Sequence, residues 1–289
     1  MRDQWFFEKT IPEILDESRT SIKIKKKIYS GKSSYQKIEV FDTLVFGRML
    51  VLDRVVQLSQ IDEFIYHEML VHLAMFSHQN PKKVLIIGGG DGGALREVLK
   101  HPIEEACVVD IDKKVIEISK KYLPFVSKGA FKNKRAKIFI EDGIKFTKKY
   151  KNFFDIIILD STDPSGLSIG FFHGKFYQDV SRALAENGVL IIQSGCIFEQ
   201  FLRVKSIYNK LKKIFFEVKI HQACIPSLQC SSEYIFILAL KSVSQKPNYK
   251  NIKQRYKKLN LDLEYYNPEI HFSSAVLPKY LAKKLNVNT

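Results

Sequence analysis

The chain predicts an α/β fold, a doubly wound and mostly parallel sheet preceded by a small N-terminal antiparallel β-domain. Three observations carry this. Val84-Leu85-Ile86-Ile87 runs into Gly88-Gly89-Gly90-Asp91-Gly92-Gly93, and a helical pattern from Ala94 to Lys100 begins at once, a strand–turn–helix unit. Downstream, β-prone apolar runs alternate with helix-like segments. Upstream, residues 1–61 hold period-two segments and no helix signal after about residue 16.

Taken in order, Ser21-Ile22-Lys23-Ile24-Lys25 and Gln36-Lys37-Ile38-Glu39-Val40-Phe41 alternate as half-buried strands. Gly31 and Gly47 fall where turns are expected, and Met49 to Leu58 reads as a strand pair around Asp53-Arg54. Asp62 is placed to cap a helix through Phe64, Ile65, Met69, Leu70, Leu73 and Phe76, which Asn80-Pro81 ends. Strands are predicted over 84–87, 106–110, 136–140, 154–160, 188–194, 218–223 and 234–240, with helices over 94–100, 112–123, 143–150, 175–186 and 199–213. The Lys- and Asn-rich stretch 243–258 is expected to cross the surface. Residues 62–289 then form the second domain, with a C-terminal helical extension.

The chain has 289 residues, 45% of them apolar and 12% aromatic, enough for a full core. No apolar run approaches the roughly 20 residues of a membrane helix. Met1-Arg2-Asp3-Gln4-Trp5 lacks a signal-peptide layout, so a cytoplasmic location and no membrane partner are expected. Cys107, Cys196, Cys224 and Cys230 form no CxxC pair and are expected as free thiols. The net charge of +15 raises nucleic-acid binding as a class. However, 37 Lys stand against 9 Arg, in short clusters at Lys23 to Lys27, Lys132 to Lys137 and Lys145 to Lys151. They read as solvated faces, and no nucleic-acid partner is expected.

The acid inside the glycine loop directs the chemistry. Phosphate-cradling loops offer backbone N–H groups, and often a Lys, to an anion. Asp91 repels a pyrophosphate and attracts a cation, which points to a positively charged nucleoside of the adenosylmethionine type. Ligands of such sheets bind at the carboxyl ends of the strands. Asp110 closes the second strand, about 20 residues after the loop, where an acid grips ribose hydroxyls. Asp142-Gly143 follows the third and suits an adenine amino group and a backbone N–H. Asp160 and Asp163 close the fourth. One such acid is commonly a turn or helix cap. Five together make a negative pocket in a basic protein. A sulfonium alkylates a neutral amine, which needs positioning and the loss of one proton. Asp163, beside Pro164, is the candidate base. Tyr66 is placed to hydrogen-bond the same nitrogen, core packing being its alternative.

These residues lie in stretches that resemble spermidine synthase and related polyamine aminopropyltransferases: Tyr35-Gln36, Val51 to Gln57, Asp62 to Met69, Pro81 to Gly93, Leu95 to Val98, Asp160 to Pro164, Phe176-Tyr177, Tyr265-Tyr266-Asn267 and Ile270-His271. They span nearly the whole chain. The resemblance implies a Rossmann-like, methyltransferase-type catalytic domain and a homodimer or homotetramer. It implies decarboxylated S-adenosylmethionine as co-substrate, no prosthetic group and no metal. The acceptor would be a diamine, usually putrescine, and the products spermidine and methylthioadenosine. By position, Gln36, His67 and Asp91 would hold the aminopropyl end, Asp110 the ribose, and Asp142 with Gly143 the adenine. Gly88 belongs to the same loop. Asp160 would position the aminopropyl arm or the amine, and Asp163 would be the base, helped by Tyr66. Trp5 and Gln193 fall on the acceptor side. Ser165 to Lys175 resembles the family's gate-keeping loop.

The acceptor side departs from the pattern. Many members carry Tyr-Pro-Ser-Gly before the late strand, where this chain has Ile225-Pro226-Ser227-Leu228-Gln229-Cys230, with Leu228 in place of the Tyr. Gly195 stands where an acid is common, and Arg54 where a Gly is usual. Cadaverine, agmatine or spermidine therefore stay open as acceptors. A small-molecule methyltransferase using intact adenosylmethionine is the competing class.

Overall fold

Period-two alternation builds the first sheet. The computed structural model describes residues 4–8, 20–161, 170–171, 173–228 and 233–287. Strands β1 (Gln4–Phe7), β2 (Ser21–Lys32), β3 (Lys37–Thr43), β4 (Arg48–Leu52) and β5 (Val55–Ser59) pair antiparallel in that order. Asp53 and Arg54 join β4 to β5 with φ of 47° and 69°, the double left-handed geometry of a two-residue hairpin turn. Both faces of this sheet are covered. Ile38, Val40, Leu50, Leu52 and Leu58 pack on Val115, Ile118, Leu123 and Val126 of the following unit. Phe6, Phe41, Met49, Val51 and Val56, one residue out of phase, form a separate cluster touched by Leu228.

The remainder is a three-layer α/β/α sandwich. Its elements are α1 (Glu63–Ser77), β6 (Lys83–Gly88), α2 (Gly93–Leu99), β7 (Glu105–Asp110), α3 (Lys113–Tyr122), α4 (Pro124–Ser127), β8 (Ala136–Ile140), α5 (Gly143–Lys148), β9 (Phe154–Asp160), α6 (Gly174–Ala183), β10 (Leu184–Cys196), α7 (Phe201–Leu211), β11 (Glu217–Ala223), β12 (Tyr234–Leu240), α8 (Tyr249–Leu259), α9 (Pro268–Ser273) and α10 (Lys279–Leu285). The sheet order is β11-β12-β10-β9-β6-β7-β8. Five neighbouring strands are parallel, and β12 runs antiparallel to both β10 and β11. The continuous apolar runs follow from burial on both faces. Leu85, Ile87, Ile157, Leu159, Leu190 and Ile192 face α5, α6, α7 and α10, whereas Val84, Ile86, Ile156, Ile158 and Ile191 face α1, α2 and α8.

Three expectations change. Residues 249–259 are the helix α8, not a surface crossing: Asn248 caps it, Ile252 is buried, and Arg255 donates to the carbonyls of Met75, Phe76 and His78 at the end of α1. Asp62 sits at the N-cap position of α1, but its side chain does not cap the helix. It accepts from Ser59 Oγ at 2.8 Å and from Ser227 N and Oγ at 2.6 Å each, tying residue 227 to the N-terminal sheet. Cys196 is disulfide-bonded, while Cys107 and Cys224 are free thiols. Cys230 lies outside the described residues. Pairing depends on Cβ proximity, which spacing alone does not reveal. Among the described residues no helix is long and apolar enough to cross a membrane.

Candidate active site

Register brings the strand ends together. Gly88 pairs with Asp160 across β6 and β9, and Gly89 N donates to the Asp160 carbonyl at 3.0 Å. Gly88 has φ +86°, and a Cβ there would lie 2.0 Å from that carbonyl oxygen, so only glycine fits. The loop then turns into α2 with Asp91 at its bend. Asp91 Oδ1 accepts from Gly93 N at 2.6 Å and lies 3.3 Å from His67 Nε2.

Helix spacing supplies the other wall. Glu63, Tyr66 and His67 sit at i, i+3 and i+4 on α1 and so share a face. His67, 1% exposed, places Nδ1 2.5 Å from Glu63 Oε2, and Arg96 holds Glu63 through two nitrogens at 2.7 and 3.0 Å. Burial works against the His67 charge, but the flanking carboxylates of Asp91 and Glu63 prevail and push its pKa up to about 10. His67 is thus an imidazolium behind Asp91. Burial also opposes ionisation of Asp91, yet the His67 charge and hydrogen bond and the Gly93 N–H hold its carboxyl below the usual range.

Asp160 behaves in the opposite way. Tyr66 donates to its Oδ1 at 2.6 Å, while Oδ2 is buried without a hydrogen-bond partner among the described residues. Burial, then the charge of Asp91, pushes its pKa up to about 7. Asp110 at the end of β7 accepts from the N–H of Asp112 at 2.8 Å, and burial with the charges of Asp112 and Asp91 raises it to about 6. Burial and the Asp160 charge also push the Tyr66 phenol well above its ordinary value.

The structure thus brings Tyr66, His67, Gly88, Asp91, Asp110 and Asp160 to one place. Gln193, at the end of β10, joins them by donating from Nε2 to the Ser161 carbonyl. Gln36 is tied to Asp112, two residues beyond Asp110: its amide donates to Asp112 Oδ2 at 3.0 Å, with Ser33 Oγ at 2.6 Å on the same oxygen. Asp142 caps α5 through the Ile144 and Lys145 N–H groups, and Gly143 leaves no room for a Cβ, which would lie 2.4 Å from Ile87 Cγ2. Trp5 lies on β1 opposite Lys23, 48% exposed and outside the described hydrogen-bond network. Asp163 and most of 165–175 lie outside the described residues. Phe171 does fall within them and stacks edge-on against Phe176 beside Gly143.

Sequence reasoning missed Glu63, Arg96, Asp112 and Tyr234. The Asp-x-Asp spacing of 110 and 112 was a turn signal for one of these. Tyr234 donates to Gln193 Oε1 and packs edge-on against Tyr66, ring centroids 5.6 Å apart. Single ligand atoms of His67, Asp91 and Asp160 lie within 4.8 Å of one another, a spacing open to a metal ion. Both ring nitrogens of His67 already face the carboxylates of Glu63 and Asp91, so the cluster suits an ammonium group better.

The sheet order defines a Rossmann-like domain of methyltransferase-type topology behind an N-terminal antiparallel sheet. A family model described as spermine/spermidine synthase domain matches residues 63–251, and one described as spermidine synthase tetramerisation domain matches 4–60. The polyamine aminopropyltransferase of Caldicellulosiruptor saccharolyticus is 41% identical over 96% of this chain and 97% of its own. The spermidine synthase of Schizosaccharomyces pombe is 42% identical over 97% and 93%. A crystal structure of a spermidine synthase in complex with the transition-state analogue AdoDATO superposes with a TM-score of 0.92 at 37% identity, covering 99% of this chain and 96% of that one. The chain belongs to the spermine/spermidine synthase family and is a transferase.

Proposed function

We propose that this chain transfers the aminopropyl group of decarboxylated S-adenosylmethionine to putrescine, giving spermidine and methylthioadenosine. One observation carries the reading: the buried Oδ2 of Asp160, without a hydrogen-bond partner among the described residues, beside the ionised Asp91. Two carboxyl groups at this spacing call for a cation. The aminopropyl ammonium of the decarboxylated co-substrate supplies one, whereas intact adenosylmethionine adds a carboxylate that Asp91 repels. The amine nitrogen attacks the carbon bound to sulfur, the C–S bond breaks with its electron pair on sulfur, and one proton leaves the nitrogen. Asp163 takes that proton, and Tyr66 with Asp160 orients the reacting groups. Asp110 with Gln36 and Asp112 forms the ribose end, and Gly143 the adenine wall. The matched tetramerisation domain supports an assembly of identical subunits.

Leu228 favours a second acceptor as an added reading, because it packs against both the N-terminal sheet and the cluster containing Tyr66 and Tyr234. An aliphatic side chain at this junction suits an acceptor longer than putrescine. The test is a panel of putrescine, cadaverine, agmatine and spermidine with labelled decarboxylated co-substrate, products read by mass spectrometry. An aminopropylated amine is expected. Methylation of an acceptor by intact adenosylmethionine, with no aminopropyl product, would overturn the proposal.

A further inference from the structure

Two main-chain carbonyls fix the end of β9. That of Asp160 accepts from Gly89 N, and that of Ser161 accepts from the Gln193 side chain. Gln193 is 5% exposed, and its amide has one orientation that satisfies both ends: Nε2 toward Ser161 and Oε1 toward the Tyr234 hydroxyl. The Tyr234 ring also stands edge-on against Tyr66, and Phe236 lies on the same phenol at 5.6 Å. Tyr66 in turn donates to Asp160 Oδ1. Two chains of contact therefore start at Tyr234 and meet at Asp160, one through Gln193 and Ser161, the other through Tyr66. Tyr234 opens β12, directly after the 225–233 segment that departs from the family pattern.

We propose that Tyr234 is a positioning residue for the acceptor half of the site: its hydroxyl fixes the Gln193 amide, and its ring holds Tyr66 against Asp160. Without the hydroxyl, a buried amide oxygen loses its donor and the Gln193 amide is free to turn away from Ser161. The carboxyl end of β9 then loses the Gln193 bond to the Ser161 carbonyl, next to the groups that align the amine. The co-substrate half shares Asp160 with this network but keeps Asp91, Asp110 and Gly143 untouched. This inference rests on the aminopropyl-transfer reading.

Steady-state kinetics of Tyr234→Phe, Gln193→Met and the double variant test it, with both substrates varied. Tyr234→Phe keeps the ring and its edge on Tyr66, so the fold and the Tyr66–Asp160 bond are expected to stay, and the co-substrate KM, set mainly by Asp91 and Asp110, is expected to change less than about twofold. Its kcat/KM for the acceptor amine is expected to fall about tenfold. In the Gln193→Met background the same change is expected to cost less than about twofold, because the two groups act as one unit. Tyr234→Leu, which removes the ring edge as well, is expected to fall further in kcat. An active enzyme whose Tyr234→Phe variant keeps the acceptor kcat/KM, or whose two losses simply multiply, overturns the inference and leaves the functional reading standing. An unaltered protein inactive on every amine overturns both.

Discussion

Binding of the aminopropyl ammonium should displace a proton from Asp160. Burial and the Asp91 charge resist a second anion and push its pKa up to about 7 from an ordinary 3.8. Three units at roughly 1.4 kcal/mol each amount to about 4 kcal/mol. An ammonium about 4 Å from the carboxylate, at an effective dielectric of about 20, returns about 4 kcal/mol by Coulomb attraction. The two terms match, so docking carries Asp160 back toward the ordinary range. The sign follows: the ligand prefers the deprotonated site, and affinity rises with pH until the site is ionised unaided. The expected slope is about one decade of affinity per pH unit below about pH 7, flattening above about pH 8. Titration calorimetry in phosphate and in Tris reads the protons released, close to one at about pH 6 and about half at pH 7. Methylthioadenosine, which lacks the ammonium, should release none, and Asp160→Asn should abolish the slope. Affinity independent of pH between about 5.5 and 7.5, with no buffer dependence of the heat, would refute the reasoning.

Three further outcomes can be checked. Asp91→Asn should weaken the decarboxylated co-substrate about 100-fold by fluorescence or calorimetric titration, less than a lone ion pair would give because His67 already offsets part of its charge. Arg54→Gly should stabilise the fold by about 0.5–1 kcal/mol in urea unfolding, since Arg54 sits at φ 69° with only an exposed 3.2 Å bond to the Phe7 carbonyl in return. Glu63→Gln should cost about 3–5 kcal/mol of unfolding free energy, because it strips the buried Arg96 and His67 of their shared carboxylate.

The strands were legible because burial on both faces writes them as unbroken apolar runs, and their ends were marked by acids. The predicted 154–160 and 234–240 coincide with β9 and β12. Helix α8 was not legible: with Ile252 as its one fully buried side chain, its lysines hid the periodicity, and its anchor is Arg255 on carbonyls that no local pattern reveals. Asp62 misled for a similar reason. Its partner Ser227 lies 165 residues away, and a residue typical of caps took a tertiary bond instead. Asp91, Asp110 and Asp160 could be read from strand ends, since topology alone gathers such positions. Glu63, Arg96 and Tyr234 could not, because each reaches the site through another side chain.

Two of those unread residues, Glu63 and Arg96, explain how a basic protein keeps an acidic pocket. Behind the glycine loop, Glu63, His67, Arg96 and Glu97 alternate in sign, within hydrogen-bond distance of one another. Each buried charge there has an opposite partner, so the wall is close to neutral. In front, Asp91, Asp110 and Asp160 face one another with no lysine or arginine among the described residues between them, and two of the three have raised pKa values. The front is therefore incomplete by one cation, and the wall cannot supply it because its own cations are already paired. The lysines that set the net charge lie mostly outside this arrangement, with Lys100 on Glu97 the nearest exception. A cationic ligand thus completes the electrostatics of the fold, and its affinity depends first on how rigidly the wall holds Asp91.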